Sequence, residues 1–211
     1  MPCTYYPPVA PGLGRLSSRY GVRPARRPPH APTFHAGIDI SIPGHRPGEV
    51  PVYSVADALV ERLPLHTTRR GPFDGYGNAV VLKHIGSADA GFWTFYCHLD
   101  HHAPYMQQFL GTQRVLPAGS VVGFVGNTTN DKFPGMHWHL HFEVRHATRA
   151  GASPLPGPYQ VYNDDPQAWL AQRGITFSGA NIVVDGQRAC VPVYALSDAL
   201  VRQALLVGGN A

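Results

Sequence analysis

The segment between Gly135 and Arg145 alternates histidines with bulky apolar residues. It reads GMHWHLHFEVR, and this period of two is typical of a half-buried β-strand, whose successive side chains point to opposite faces. The strand would carry its histidines on one face: His137, His139 and His141. The other face would enter a core through the apolar residues: Trp138, Leu140 and Phe142. A lone strand histidine is usually just an exposed side chain, but three imidazoles on one rigid face indicate a metal site.

A metal ion on this strand needs further ligands, because adjacent histidines on one face lie roughly 6.6 Å apart. One histidine can bind the ion, while its neighbour contacts the water or substrate that the ion binds. A catalytic zinc site commonly has three protein ligands and keeps one position open for water. Upstream, His35 and Asp39 are the candidate ligands in the segment FHAGIDI.

His35 and Asp39 could meet at one ion only if the chain bends between them. Gly37 and Ile38, with Pro43 close behind, argue against a helix here. In a fully extended segment the two Cα atoms would be about 13 Å apart, which is too far for one ion to bridge. Gly37 can supply the bend. Without the downstream histidines, the pair would be interpreted as an ordinary loop histidine and a turn-capping aspartate.

The composition describes one good-sized domain rich in turns. The chain has 211 residues with 23 glycines and 21 prolines, and it contains few long helical patterns. Charged residues make up 14% and the net charge is +4, which suits an anionic surface. The chain lacks the clustered Lys/Arg stripe of a nucleic-acid binder, so we expect no nucleic-acid partner. No run approaches 18 apolar residues, so we expect no membrane span.

The number and spacing of the cysteines do not indicate a disulfide-bonded fold. The chain has three, Cys3, Cys97 and Cys190, which is an odd number without CxxC spacing. This pattern predicts neither a disulfide scaffold nor a cysteine metal site. Cys97 lies in an apolar run and is expected to be a small core residue. We therefore expect three free thiols.

Runs of β-branched and aromatic residues recur between short glycine turns, at residues 50–62, 75–84, 92–100 and 121–127. In the third run, Thr94, Tyr96 and His98 would share one face of a strand. The regular spacing predicts a mainly β fold, an antiparallel β-sandwich or a partly open barrel.

Short helices are expected only near the C-terminus. The first begins at Asp165, with Pro166 in its first turn and Gly174 past its end. A strand pair about Asp185-Gly186 would follow, and then a helix capped by Ser197 and ended by the glycines at 208–209.

Three separated motifs together resemble the lysostaphin/LytM-type zinc metallopeptidases of family M23. They are HxxxD at His35 and Asp39, YCHL around His98, and HLHFE from His139 to Glu143. Because they occur in the family's order, and flanking segments agree over roughly residues 12–174, the resemblance is specific. It implies a mainly antiparallel β-fold with an active-site groove, one Zn²⁺, and cleavage of peptide crosslinks in bacterial peptidoglycan.

The resemblance also implies a role for each matched residue. His35, Asp39 and His141 correspond to the zinc ligands, and His98 and His139 to the catalytic histidines. Either neutral catalytic histidine could orient or deprotonate a water activated by zinc, and then donate a proton to the leaving amine. Which histidine does each task stays open.

The composition and the resemblance together divide the chain into three parts. Residues 1–13 form an extended Pro-rich lead-in, 14–174 an M23-like catalytic domain, and 175–211 a C-terminal extension of open role. Two alternatives to an active endopeptidase are a non-catalytic module that binds peptidoglycan or activates a hydrolase, and a structural part of a phage tail or injection device. The complete set of five site residues favours the enzyme.

The implied substrate sets the expected compartment and partners. Stem or crossbridge peptides of peptidoglycan lie in the periplasm or the extracellular cell wall. The N-terminus shows no basic region followed by an apolar one, so no signal peptide is visible. We therefore expect a protein that is phage-borne or exported by a dedicated secretion system. Delivery machinery or an immunity protein would be further partners. The protein is expected to be a monomer. A leader trimmed from the sequence is the alternative.

Overall fold

A computed structural model of the protein describes residues 4–24, 32–65, 73–129, 135–146 and 163–192. Within these ranges the strands are β1 (Arg15–Ser18), β2 (Gly21–Val22), β3 (Phe34–His35), β4 (Ile38–Ser41), β5 (Pro51–Tyr53), β6 (Ala58–Arg62), β7 (Asn78–His84), β8 (Phe92–His102), β9 (Val121–Val125), β10 (His139–His146), β11 (Asn163–Asp164), β12 (Ile175–Ser178) and β13 (Asn181–Val184). The helices in the same ranges are a short 3-10 helix (Met106–Gln108) and α1 (Pro166–Ala171).

One large antiparallel sheet organises these strands. Its main path runs β12-β13-β1-β4-β10-β8-β7-β6, with β9 joining β5 to β8, and β11 pairing with β10. β2 and β3 form a separate two-stranded ribbon. The predicted mainly β, antiparallel fold is confirmed. The strand that carries the histidine motif lies between β4 and β8, inside the sheet and away from its edges.

The register on both sides of β10 decides which side chains meet. Asp39 of β4 lies opposite His141 on one side, and Cys97 of β8 lies opposite His141 on the other. Directly opposed residues of an antiparallel pair point to the same face. The face of β10 that bears His141 therefore also bears Asp39.

The other face of β10 enters the main hydrophobic core. Leu140 and Phe142 are fully buried there, as predicted, together with Ile38 and Ile40 of β4. The ring of Phe142 packs on Tyr96 of β8, with centroids 5.2 Å apart. Each such buried side chain stabilises the fold by about 1.5–3 kcal/mol. This packing holds the strand, and with it the histidines, in a rigid position.

The prediction that Trp138 enters the core is wrong. Trp138 is 41% exposed, and β10 begins one residue later, at His139. The reason is the length of the neighbouring strand: Ser41, the last residue of β4, lies opposite His139. Residues before His139 therefore have no partner on this side to hold them in the pleat. His137 is likewise exposed and precedes the strand.

The predicted helix that begins after Asp165 is confirmed, whereas the strand pair predicted about Asp185-Gly186 lies earlier in the chain. Asp165 caps α1 by accepting a hydrogen bond from the Gln167 amide at 2.9 Å. The hairpin of β12 and β13 turns at residues 179–180, and Asp185 instead accepts the amides of Gln187, Arg188 and Ala189. An Asp-Gly pair favours a hairpin turn, but it equally favours a turn in which the aspartate carboxylate accepts the amides that follow it. Asp185 forms the second kind of turn.

The hairpin extends the main sheet, because β13 pairs with β1. The division of the chain at residue 174 stays a prediction. The helix expected after Ser197 lies outside the described residues. Among the described residues, no helix has the length and apolar character needed to span a membrane.

The expectation of three free thiols is also wrong. Cys97 is free and buried, but Cys190 is disulfide-bonded. The N-terminal segment runs beside this cysteine: the amides of Thr4 and Tyr5 donate to Arg188 O, and the Cys190 amide donates to Tyr5 O at 3.1 Å. These hydrogen bonds join the two ends of the described chain, and no local sequence pattern predicts them. Cys3 lies outside the described residues.

We expect the denatured, unreduced protein to show one reactive thiol, that of Cys97, and the reduced protein to show all three. A colorimetric thiol titration in urea, before and after reduction, measures both numbers. A Cys97→Ser variant serves as the control and should give no thiol before reduction. Three thiols in the unreduced wild type would contradict the disulfide.

Candidate metal centre

Three side chains from three strands converge at one point. His35 of β3 places Nε2 3.1 Å from Asp39 Oδ1, and His141 of β10 places Nδ1 2.9 Å from the same oxygen. The two imidazole nitrogens are 3.1 Å apart. All three donor atoms lie within 4.8 Å of one another, so one metal ion could contact them all. These are the three residues that the family resemblance predicts as ligands.

Gly37 makes this convergence possible. β3 ends at His35 and β4 begins at Ile38, so the chain bends in between, where the sequence requires it. A Cβ at Gly37 would lie 2.4 Å from Phe142 O and 2.9 Å from Glu143 Cγ. Real Cβ atoms do not approach a backbone oxygen so closely, and only glycine lets the bend rest against β10.

Each of the two candidate ligand histidines, His35 and His141, uses one ring nitrogen in a hydrogen bond outside the cluster. His35 Nδ1 donates to Arg19 O at 2.7 Å, and His141 Nε2 donates to Glu143 Oε1 at 2.9 Å. The remaining nitrogens, Nε2 of His35 and Nδ1 of His141, face Asp39 and are the ring atoms available to a metal ion. Fixing the tautomer through the second nitrogen is the usual way in which proteins orient metal-binding imidazoles.

Glu143 is the centre of a buried polar network behind His141. Its side chain is 1% exposed. Oε2 accepts from Arg145 Nε at 2.8 Å and from Asn163 Nδ2 at 3.1 Å, while Tyr76 donates to Oε1 at 3.0 Å. A buried carboxylate requires such complete pairing. The network fixes the carboxylate, which in turn fixes the ring of His141.

Sequence reasoning did not assign a role to this network, although part of its signal was visible. Glu143 and Arg145 continue the alternation of His141 on the same face of β10, and charged residues inside a central strand are rare unless paired. Tyr76 and Asn163 come from distant segments, and no local pattern links them to the site.

The electrostatics of the centre favour a cation. Burial alone would raise the pKa of Asp39, but hydrogen bonds with His141 and His35 hold that pKa well below its usual value. Burial alone would lower the pKa of His141, but hydrogen bonds with Asp39 and Glu143 raise it to about 9. The carboxylates of Asp39 and Glu143 thus favour a positive charge at His141, and a bound metal ion would compete with its proton. Two imidazoles and one carboxylate are a donor set that zinc accepts.

His98 reaches the site only through an unusual backbone conformation. The sequence predicts that His98 shares a strand face with Thr94 and Tyr96, and Tyr96 lies in the main core. Instead φ of His98 is +62°, in the left-handed region, and it lines the same groove as His139 and His141. Its ring centroid lies 5.0 Å from His139 and 5.8 Å from His141. This conformation costs about 1–3 kcal/mol for a residue other than glycine, a strain typical of functional sites.

The ring of His98 is held neutral and oriented. Nδ1 donates to Thr128 O at 2.9 Å, and the backbone amide donates to Tyr76 O at 2.9 Å. Burial, reinforced by the neighbouring histidines, lowers the pKa of His98 to about 3. Nε2 therefore presents a lone pair as a potential proton acceptor.

The other two strand histidines occupy different positions along the groove. His139 donates from Nδ1 to His137 O at 2.7 Å, and its Nε2 lies 3.5 Å from Asp39 Oδ1. Burial lowers the pKa of His139. His137 lines the groove but is exposed, beyond the start of β10. The histidines predicted to share one face thus include one at the centre, one beside it and one at the rim.

An open groove of about 1020 Å³ runs over this centre. Residues of β1, β3 and β4 line it, including Ser17 and Phe34, together with Arg23 just after β2 and the turn at residues 74–76. Met136 and Trp138 also line it. This volume is suited to an extended peptide rather than to a single small ion.

Known proteins resemble the chain in sequence and in fold. Residues 33–153 match the sequence profile of Peptidase family M23. The DD-carboxypeptidase/endopeptidase Mpg of Neisseria meningitidis is 31% identical over 162 residues, which cover 75% of this chain and 31% of that protein. The Mpg protein of Neisseria gonorrhoeae gives the same values. The chain therefore spans about a third of the length of these curated relatives.

A solved structure has the same fold. The antimicrobial peptidase lysostaphin from Staphylococcus simulans superposes with a TM-score of 0.51 at 18% identity, over 79% of this chain and 55% of that one. At this identity the likeness concerns the fold alone. The family profile, in contrast, covers more than half of the 211 residues and includes all five residues singled out by the motifs. The protein therefore belongs to peptidase family M23.

Proposed function

We propose that the protein is a zinc-dependent endopeptidase that cleaves peptide crosslinks of bacterial peptidoglycan. The observation that carries this proposal is the convergence of His35, Asp39 and His141 on one point, with His98 and His139 beside it in a groove. The relatives named DD-carboxypeptidase/endopeptidase support a peptidase.

The metal would be held by Nε2 of His35, Nδ1 of His141 and a carboxylate oxygen of Asp39. Bound there, Zn²⁺ would supply the Lewis acidity that polarises a peptide carbonyl and makes a water acidic near neutral pH. Three protein ligands leave room for a substrate or a water, which is typical of a catalytic rather than a structural site. Glu143 and the carbonyl of Arg19 would keep both imidazoles aligned.

His98 and His139 would move the protons. Each commits Nδ1 to a backbone carbonyl, of Thr128 and of His137 respectively, and so presents Nε2 with a lone pair. Such a nitrogen can accept the proton of an attacking water and, once protonated, donate to the leaving amine or to the developing oxyanion. Because both rings are fixed by hydrogen bonds and burial, little reorganisation would be needed during the reaction.

The disulfide of Cys190 supports a site of action outside the reducing cytoplasm. Peptidoglycan lies in the periplasm or the outer wall, so substrate and disulfide agree. Delivery by a phage or by a dedicated secretion system stays a prediction.

Digestion of purified peptidoglycan tests the proposed function directly. The zinc-loaded protein should release peptide products whose masses identify the broken bond, and a chelator should stop the release until zinc is restored. Absence of cleavage by fully zinc-loaded protein would favour the non-catalytic alternative.

We expect His141→Ala to lose both the metal and the activity, because it removes one of only three protein ligands. Metal analysis after dialysis measures the first effect, and peptidoglycan digestion measures the second. His101→Ala is the matched control, since that ring stacks on Phe124 away from the groove lining. Full zinc occupancy in the His141→Ala protein would overturn the ligand assignment.

We expect Glu143→Gln to weaken zinc binding by about 10–100-fold while the chain still folds, because the charge that orients His141 is lost but the shape is kept. A competition titration with a chromophoric chelator measures the affinity, and circular dichroism checks the fold. Glu61→Gln, at a partly exposed ion pair with Arg62, should leave affinity unchanged. An unaltered zinc affinity in Glu143→Gln would remove the positioning role of this carboxylate.

We expect His139→Ala to keep zinc nearly intact but to lower kcat by about 10²-fold or more, the usual effect of removing an acid/base or oxyanion partner. His137→Ala should act less, and mainly on KM, because its side chain is at the rim. Parallel kinetics and metal analysis compare the two variants. If His137→Ala were inactive and His139→Ala normal, the two roles would have to be exchanged.

A further inference from the structure

Arg23 is the only lysine or arginine among the described residues that line the groove. It directly follows β2, and its amide donates to Thr33 O at 2.8 Å, which continues the pairing of the β2–β3 ribbon. This pairing fixes the backbone of Arg23 next to the strand that carries His35. The guanidinium consequently lies on the β4 side of the metal centre, across β10 from His98.

The guanidinium of Arg23 uses little of its hydrogen-bonding capacity. Its single described contact joins Nη2 to Asp39 Oδ2 at 3.5 Å, which is long for a charged hydrogen bond. Nε is buried and has no hydrogen-bond partner, although the side chain as a whole is 20% exposed. A buried donor without a partner destabilises the fold, because its lost hydration is not replaced.

The second arginine near the centre provides the contrast. Arg145 directs Nε and Nη2 to Glu143 and also donates to Tyr76, so its charge is neutralised inside the protein. Arg23 has no such carboxylate of its own, because Asp39 Oδ1 already accepts from two histidines and only Oδ2 faces the guanidinium. One arginine is therefore a structural part of the network, and the other retains donors for a ligand.

A planar guanidinium recognises a carboxylate best, because two parallel N–H groups match its two oxygens. In a peptide bond under attack, one carboxylate can lie very near: the α-carboxylate of the residue that leaves with the amine. Only the amide nitrogen and one Cα separate that carboxylate from the scissile carbon. Arg23, next to a ligand of the metal, is in a suitable place to meet it.

We propose that Arg23 is a substrate-binding residue that pairs with a free carboxylate on the leaving residue. The inference rests on the proposed function and names its substrate class: peptides in which the residue that leaves carries a free α-carboxylate. This carboxylate has two sources, a terminal D-amino acid or a crosslinked residue whose α-carboxylate remains free. A glycine crossbridge offers no such group at an internal bond and should be a poor substrate.

The test compares Arg23→Gln with wild type on two matched pairs of peptides. One pair is an acylated peptide that ends in D-Ala-D-Ala, with either a free C-terminal carboxylate or a carboxamide. The other is a crosslinked dimer in which the α-carboxylate of the amine-donating residue is free or amidated. Arg15→Gln is the matched control, because Arg15 is an exposed arginine of β1 outside the groove lining.

We expect Arg23→Gln to lower kcat/KM by about 10–100-fold on the carboxylate member of at least one pair, as for a lost charged hydrogen bond, and less than about 3-fold on the amide. Zinc content should stay unchanged. The pair that responds identifies the source of the carboxylate. Equal losses on carboxylate and amide, or a loss of zinc, would overturn the inference and assign Arg23 to holding Asp39.

Calorimetric binding of the same peptides to the zinc-loaded protein separates this inference from the proposed function. Wild type should bind the carboxylate form more tightly than the amide, and Arg23→Gln should remove the difference. Such a result without any cleavage would uphold the role of Arg23 and overturn the endopeptidase. Cleavage with no carboxylate preference in either kcat/KM or binding would uphold the endopeptidase and overturn the role of Arg23.

Discussion

The candidate site depends on the hydrogen bonds between the Asp39 carboxylate and the two histidines His35 and His141. One oxygen of the carboxylate accepts from both His35 and His141, and the other faces Arg23. The pairing of β4 with β10 sets this position, because it puts Asp39 directly opposite His141. A slip of one residue would move the carboxylate to the core face of the sheet. The apolar residues on that core face therefore protect the geometry of the polar face.

Grouping these polar residues is costly, and the surrounding structure offsets the cost. The buried charge of Glu143 is matched by Arg145, with Tyr76 and Asn163 completing its hydrogen bonds. The backbone of His98 is left-handed, and the residue is held by two hydrogen bonds that it donates, from its amide to Tyr76 O and from its ring Nδ1 to Thr128 O. Strain and buried polar groups are tolerated where a fold must hold chemistry in place, and here both occur around one groove.

Much of the site was visible in the order of residue types along the chain. Period-two alternation placed His139 and His141 on a strand whose other face is buried, and Leu140 and Phe142 confirm it. The same reasoning failed for Trp138, because the alternation continues beyond the point where β4 ends. It also failed for His98, since a single left-handed residue reverses the face that alternation predicts. Alternation reports the potential of a segment to form a strand, and only its neighbours decide where the strand stops.

The sequence by itself determined the mainly β class, the core face of the central strand, the need for a bend at Gly37 and the identity of the candidate ligands. These follow from local rules of backbone geometry, side-chain chemistry and motif order. The tertiary structure alone decided that Glu143 orients His141, that Cys190 is disulfide-bonded and that Arg23 faces the groove with a donor unpaired. Each of these depends on contacts between residues far apart in the chain. Such contacts arise from strand register and from the packing of distant segments, which no local pattern encodes.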